Sequence, residues 1–283
     1  MIKSASAKYF NFIDNPRRSL SSLCYRVQNS WRCYTSQINP NPIFVFGNQK
    51  SGTSAVTALL GEATNLTYCV DILCFFGDME EKLLKREYSF DEIVNKSKYY
   101  FSKDIIKDPT FTFFVNKTTL RFPSAKKIFV LRDPRSNIRS ILNRLDIPGN
   151  LNDLHLNLWH KLREKFPYNW YHVLDGTLLK HKGRDYIETL ALRCKKVLQF
   201  YIANQSNFTA IKYENFQANK VSEIESLASR LELKIVNNIN PIKNVQFQPK
   251  GKSSISLIDF FGSSNLRKIE EICREEMSIL DYY

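Results

Sequence analysis

One stretch, "FVFGNQKSGTSAVTALL" (44–60), constrains this chain more than any other. A short apolar run leads through a loop with two glycines into a segment whose Val56, Leu59, Leu60 and Ala63 recur at the i, i+3, i+4, i+7 spacing of a helix. A strand, a glycine loop and a helix in that order aim several backbone N–H groups at one spot, at the positive end of a helix dipole. Ser51, Thr53 and Ser54 add hydroxyl donors and Lys50 adds a mobile cation, so the loop reads as a nest for a phosphate-like group. The common nucleotide-binding loop has Gly, four residues, then Gly-Lys-Ser or Gly-Lys-Thr. Here Gly47 and Gly52 keep that spacing, but Thr53 follows the second glycine and the lysine stands two residues before it.

A second constellation is "LRDPRSNIRS" (131–140). Arg132 ends the apolar run "KIFVL", Asp133 can cap a helix and Pro134 suits its first position. Ser140 lies two helical turns beyond Arg132, which allows both side chains to meet one anion above a sheet edge. Taken alone, such a turn equally well solvates a helix start. Elsewhere strand and helix signals alternate, as expected of an α/β fold with a mainly parallel sheet. "IFVF" (43–46), "TFTFFVNK" (110–117), "KKIFVLRDP" (126–134) and "FTAIKYENF" (208–216) read as strands or strand ends. Helices are expected after 53 and after 134, then at about 185–204, 221–233 and 264–280. No linker divides residues 41–283, so they read as a single domain behind a basic arm, residues 1–40. Tyr9, Phe10, Phe12 and Trp31 are expected to pack that arm on the domain, the alternative for this Ser- and Arg-rich, acid-poor stretch being a transit peptide.

Composition narrows the partners. The 283-residue chain carries 41 Lys and Arg against 28 Asp and Glu, a formal charge of +13, which favours an anionic partner. No apolar run approaches membrane-span length, and the basic first 40 residues lack the apolar core of a secretory signal, so a cytoplasmic enzyme is expected, with a Golgi-lumen one as the alternative. The six cysteines form no C-x-x-C pair and no zinc-like cluster. Nucleic acid or an anionic lipid surface would suit the charge, but neither an RNA-binding aromatic motif nor an amphipathic basic helix is present.

Together, "FGNQKSGTS" and "FVLRDPRSNIRS" resemble the sulfotransferases that use 3′-phosphoadenosine 5′-phosphosulfate, in their carbohydrate-type and bacterial branch. The resemblance covers residues 42–282. It implies a Rossmann-like central parallel sheet flanked by helices, a P-loop-like phosphosulfate-binding loop, and transfer of a sulfuryl group to a hydroxyl or amine of a small-molecule or glycan acceptor, with no metal. By the same resemblance, Lys50, Ser51, Gly52, Thr53 and Ser54 hold the 5′-phosphosulfate, and Arg132 with Ser140 holds the 3′-phosphate. "IKYENF" (211–216) places Tyr213 near the adenine, and Lys250, Gly251 and Lys252 of "KGKSS" form a basic loop over the 3′-phosphate. In "NKTTLRFP" (116–123) Lys117 matches a lysine of the family, whereas Thr119 stands where the small-molecule enzymes have a histidine base. A carboxylate soon after the first helix takes that role in the carbohydrate branch. Asp71 is the nearest match, with Asp78, Glu62, His155 and His160 as further candidates for a base within reach of the acceptor. Trp159, Trp170, Tyr171 and His172 sit in the stretch least like the family, where acceptor choice is expected. The alternatives are a nucleotide kinase with a shifted lysine and a non-catalytic anion-binding protein.

Overall fold

The structure is a computed structural model that describes residues 30–72, 79–165, 168–179, 181–245 and 255–283. Tyr9, Phe10, Phe12, Asp78, Lys250, Gly251 and Lys252 lie outside the described residues. Five parallel strands, β1 (Ile43–Phe46), β2 (Tyr68–Val70), β3 (Ile105–Lys107), β4 (Lys126–Leu131) and β5 (Thr209–Lys212), form one sheet in the order β2-β3-β1-β4-β5. This is the Rossmann-like α/β arrangement expected from the sequence.

Strand residues alternate between two cores. Ile43, Val45, Ile105, Ile128, Val130 and Ile211 face α1 (Thr53–Thr64) and α6 (Lys220–Arg230). Phe44, Phe46, Ile106, Phe129 and Leu131 face α3 (Pro134–Leu145), α4 (Tyr186–Ala203) and α7 (Leu257–Ile272). Burial on both faces is why "IFVF" and "KIFVL" are unbroken apolar runs, as central parallel strands require. The helical stripes are buried as their spacing predicts. Val56, Leu59, Leu60 and Ala63 on α1, and Ile138, Ile141, Leu142 and Leu145 on α3, are each 2% exposed or less.

Several expectations are corrected. "TFTFFVNK" (110–117) is not a strand. Asp108 accepts a hydrogen bond from the Thr110 amide, Pro109 opens a 3₁₀ turn (Pro109–Phe114), and α2 (Val115–Arg121) follows. The strand in this region is β3, and both it and β2, three residues each, are missing from the expected strands. Trp31 is 66% exposed rather than packed; among the described residues 30–40, Cys33 is buried. The C-terminal helix begins earlier than expected, at Leu257, where Ser256 caps it, and it kinks at Gly262 (φ +70°). Cys33, Cys69, Cys194 and Cys273 are buried free thiols.

The topology creates one crevice. From β1 the chain passes to β2 and β3 on one side of the sheet, then crosses to β4 and β5 on the other. The helix after β1 covers one face and the helix after β4 the opposite face. Their N-termini therefore open a gap at the carboxyl edge between β1 and β4, which is where open α/β sheets bind ligands. Leu59 is fully buried between this sheet and α6. Leu59→Ala is expected to lower unfolding free energy in urea by ~3 kcal/mol, as a buried Leu truncation does.

Candidate active site

The loop after β1 is held rigidly. Gly47 takes φ +146°, Lys50 +64° and Gly52 +99°, so three of six consecutive residues adopt conformations that L side chains rarely take. Thr112 clamps the start, its hydroxyl donating to the Gly47 carbonyl at 2.9 Å and accepting from the Gly47 amide at 2.9 Å. Asn48 Nδ2 donates to Asn137 Oδ1 of α3 at 2.8 Å, and Asn137 Nδ2 donates to the Gln49 carbonyl at 2.9 Å. Arg132 closes the far side, donating to the Lys50 carbonyl at 2.5 Å. Its guanidinium carbon lies 4.2 Å from the centre of the Tyr213 ring. That ring also covers Gly52, where an added Cβ would come within 2.2 Å of it. Glycine is required here twice, for its φ and for the closeness of the tyrosine.

Two strand ends deliver cations to this loop. β4 ends in Leu131 and continues Arg132-Asp133-Pro134, with Asp133 accepting from the Arg135 amide to start α3. β3 ends in Lys107 and continues Asp108-Pro109, with Asp108 capping the next turn in the same way. β1 lies between these strands, with Val45 in register with both Lys107 and Ile128. Lys107 is only 2% exposed and its ammonium pairs with the Asp71 carboxylate. Asp71 follows β2 directly, and its amide donates to the Lys107 carbonyl at 2.8 Å.

The consequence is a concentrated positive field. Burial, then the charges of Arg144, Arg132 and Lys107, lower Lys50 from the usual lysine value to about 8, with Asp71 opposing them. Arg132 is itself held below its ordinary value by burial, against the support of Tyr213 and Glu214. Ser51 Oγ and Arg132 Nε are buried without a hydrogen-bond partner among the described residues. Orphaned donors beside mutually repelling cations are a mark of an anion site.

The other expected residues are spread more widely. Thr53 and Ser54 open α1, buried beneath the loop. Ser140 is half-buried on α3, the helix that Arg132 precedes. Lys117 is exposed on α2. That helix lies beside a cavity of about 420 Å³ lined by Thr119, Lys127, Phe200 and Phe208, near the amino ends of β4 and β5 and so at the opposite edge of the sheet. The structure thus brings Lys107, not Lys117, to Lys50. The sequence signal for Lys107 was "IIKDP", which repeats the strand, cation, Asp, Pro order of "VLRDP". Glu62 accepts from the Tyr68 hydroxyl at 3.2 Å. His155 and His160 are exposed, while His172 is 1% exposed and burial lowers it to about 4, so it is neutral at neutral pH. Trp159 and Trp170 pack against the core.

The C-terminal elements brace the edge. Arg135 binds Asp133 at 2.7 Å, Glu270 at 3.1 Å and the Tyr282 carbonyl at 2.6 Å. Glu214, in α5 (Tyr213–Ala218), accepts from the Asp133 amide at 3.0 Å.

No family model and no curated protein matches this chain. Solved structures do. Sulfotransferase STF9 from Mycobacterium avium aligns over 91% of this chain and 81% of its own, at 10% identity and a TM-score of 0.52. The sulfotransferase domain from the curacin biosynthetic pathway aligns over 87% and 99%, at 15% identity and a TM-score of 0.48. Mouse sulfotransferase SULT7A1 complexed with PAP aligns over 88% and 89%, at 14% identity and a TM-score of 0.48. The chain has the fold of the Mycobacterium avium sulfotransferase.

Two outcomes follow. Gly52→Ala is expected to weaken anion binding at the loop at least tenfold, because the methyl must displace the Tyr213 ring; titration calorimetry with a nucleotide bisphosphate measures this. The second concerns pH. The folded protein gives up the Lys50 proton near pH 8, whereas the unfolded chain holds it to about 10.5. The unfolded state therefore binds more protons between these values, and stability contributed through Lys50 rises with pH across that window. In urea melts, the stability of wild type relative to Lys50→Met is expected to improve from pH 8 to pH 10.

Proposed function

We propose that this protein is a sulfotransferase that moves a sulfuryl group from 3′-phosphoadenosine 5′-phosphosulfate to a hydroxyl or amine of an acceptor, a carbohydrate or glycoconjugate. The observation that carries this reading is the crevice itself, where Lys50, Lys107 and Arg132 converge around a glycine loop whose Ser51 hydroxyl and Arg132 Nε have no protein partner among the described residues. The pairing of "KSGTS" after β1 with Arg132 after the adjacent β4, and with Ser140 eight residues later on α3, supports the same donor. The fold supports it at the level of architecture.

The residues present fit such a donor. Backbone N–H groups at the start of α1, with the Ser51, Thr53 and Ser54 side chains, would hold the 5′-phosphate. Arg132 and Ser140 would hold the 3′-phosphate, and Tyr213 would take the base. The donor supplies the activated sulfuryl group. Lys50 and Lys107 would stabilise negative charge that spreads over the transferring group and the leaving phosphate, the main work in this kind of transfer. An anion at Lys50 restores its proton affinity by offsetting the repulsion from Arg144, Arg132 and Lys107. Among the described residues, Asp71 is a carboxylate whose charge acts on Lys50. It anchors Lys107 and is the proposed base toward the acceptor proton.

The test uses adenosine 3′,5′-bisphosphate binding and ³⁵S transfer to a glycan panel. Lys50→Ala and Arg132→Ala are each expected to weaken bisphosphate binding roughly tenfold to a hundredfold, the loss of one charge-assisted hydrogen bond. Wild-type protein that neither binds the bisphosphate nor transfers label would sink the reading. Asp71→Asn is expected to lose turnover while keeping bisphosphate affinity; a loss of both would assign Asp71 to holding Lys107 alone.

A further inference from the structure

We propose that Arg193 is the positioning residue of the anion loop, its buried guanidinium fixing both residues that precede Lys50 so that the lysine and the loop amides share one aim. Arg193 sits in the middle of α4 and is 1% exposed. Its Nε donates to Asn48 Oδ1 at 3.0 Å and its Nη2 donates to Gln49 Oε1. The planar fork is what spans two acceptors on successive residues, a task a lysine ammonium cannot match. Asn48 Oδ1 also accepts the Gln49 amide at 3.0 Å, so the guanidinium fixes the Asn48–Gln49 peptide, one residue before Lys50.

The same side chain reaches the other clamp of the loop. The guanidinium carbon of Arg193 lies 4.3 Å from the centre of the Phe113 ring, next to Thr112, which grips the Gly47 backbone in both directions. Cys194, the next residue of α4, accepts from Asn48 Nδ2 at 3.4 Å. Loop, 3₁₀ turn and α4 are thus joined through one buried cation. A lysine backbone at φ +64° persists only where its surroundings over-determine it, and these bonds supply that. Asn48 and Gln49 are both amides. Carboxylates there would satisfy the guanidinium equally well but would cancel its charge beneath an anion site.

The proposal rests on the donor reading only for what the loop holds, so the experiment separates the two. Amide hydrogen exchange of residues 47–54 is measured without ligand in wild type, Arg193→Lys, Gln49→Met and Leu198→Ala. Leu198 is a buried core residue of the same helix and serves as a stability control. The expected result is exchange at least tenfold faster at the loop in Arg193→Lys and Gln49→Met, beyond any change in global stability, with loop exchange in Leu198→Ala following global stability alone. Should Arg193→Lys fail to fold, Gln49→Met carries the same readout. In bisphosphate titrations the two loop variants are expected to bind about tenfold more weakly. The pH at which affinity falls is expected to move up from about 8, because a loosened Lys50 regains water. Loop exchange that tracks global stability equally in all three variants overturns the proposal. A wild type that fails to bind the bisphosphate overturns the donor reading, and the exchange result still decides the role of Arg193.

Discussion

Parallel pairing of β1 between β3 and β4 is the constraint on which the site depends. β3 ends in Lys107 and β4 is followed by Arg132, each cation leading into Asp-Pro, and the pairing register sets Lys107 and Arg132 on either side of the loop that carries Lys50. Like charges would separate if they were free to move. They are held together because apolar strand residues below them are buried on both faces of the sheet, and that burial is worth far more than the repulsion. The cost appears locally, as the lowered proton affinity of Lys50 and as buried donors without partners among the described residues. The proposed anionic donor would resolve both.

Rigidity and charge are coupled in this loop. Positive φ at Gly47, Lys50 and Gly52 turns the chain so that its amides converge, and each turn is secured from a different element. Thr112 holds the entry, Asn137 and Arg193 hold the middle, and Arg132 with Tyr213 closes the exit. Under the proposed function, such preorganisation would keep the loop from reorganising as charge shifts at a bound group, the physical source of electrostatic catalysis.

Much of this was legible in sequence. The β1 loop and "LRDPRSNIRS" each have a periodic helix behind a continuous apolar strand, so local pattern and tertiary role agree. The shortest strands were not legible. β2 and β3 have three residues each, too few to show a period, and their stability comes from neighbours in the sheet. "TFTFFVNK" misled because aromatic and β-branched residues favour strands, while Asp108 and Pro109 start a turn and the rings pack into the core. Lys107 was not singled out in the sequence, because a strand of three residues shows no periodic pattern that would place it at a strand end.

The sequence by itself determined the α/β class, the glycine loop, the Arg132 turn and the helix stripes, because each rests on contacts within a few residues of chain. Only the tertiary structure decided which lysine stands beside Lys50, that Asp71 is paired with it, and that Arg193 reaches the loop from α4, 145 residues beyond Asn48. These contacts depend on strand order and helix phase, which no local pattern encodes.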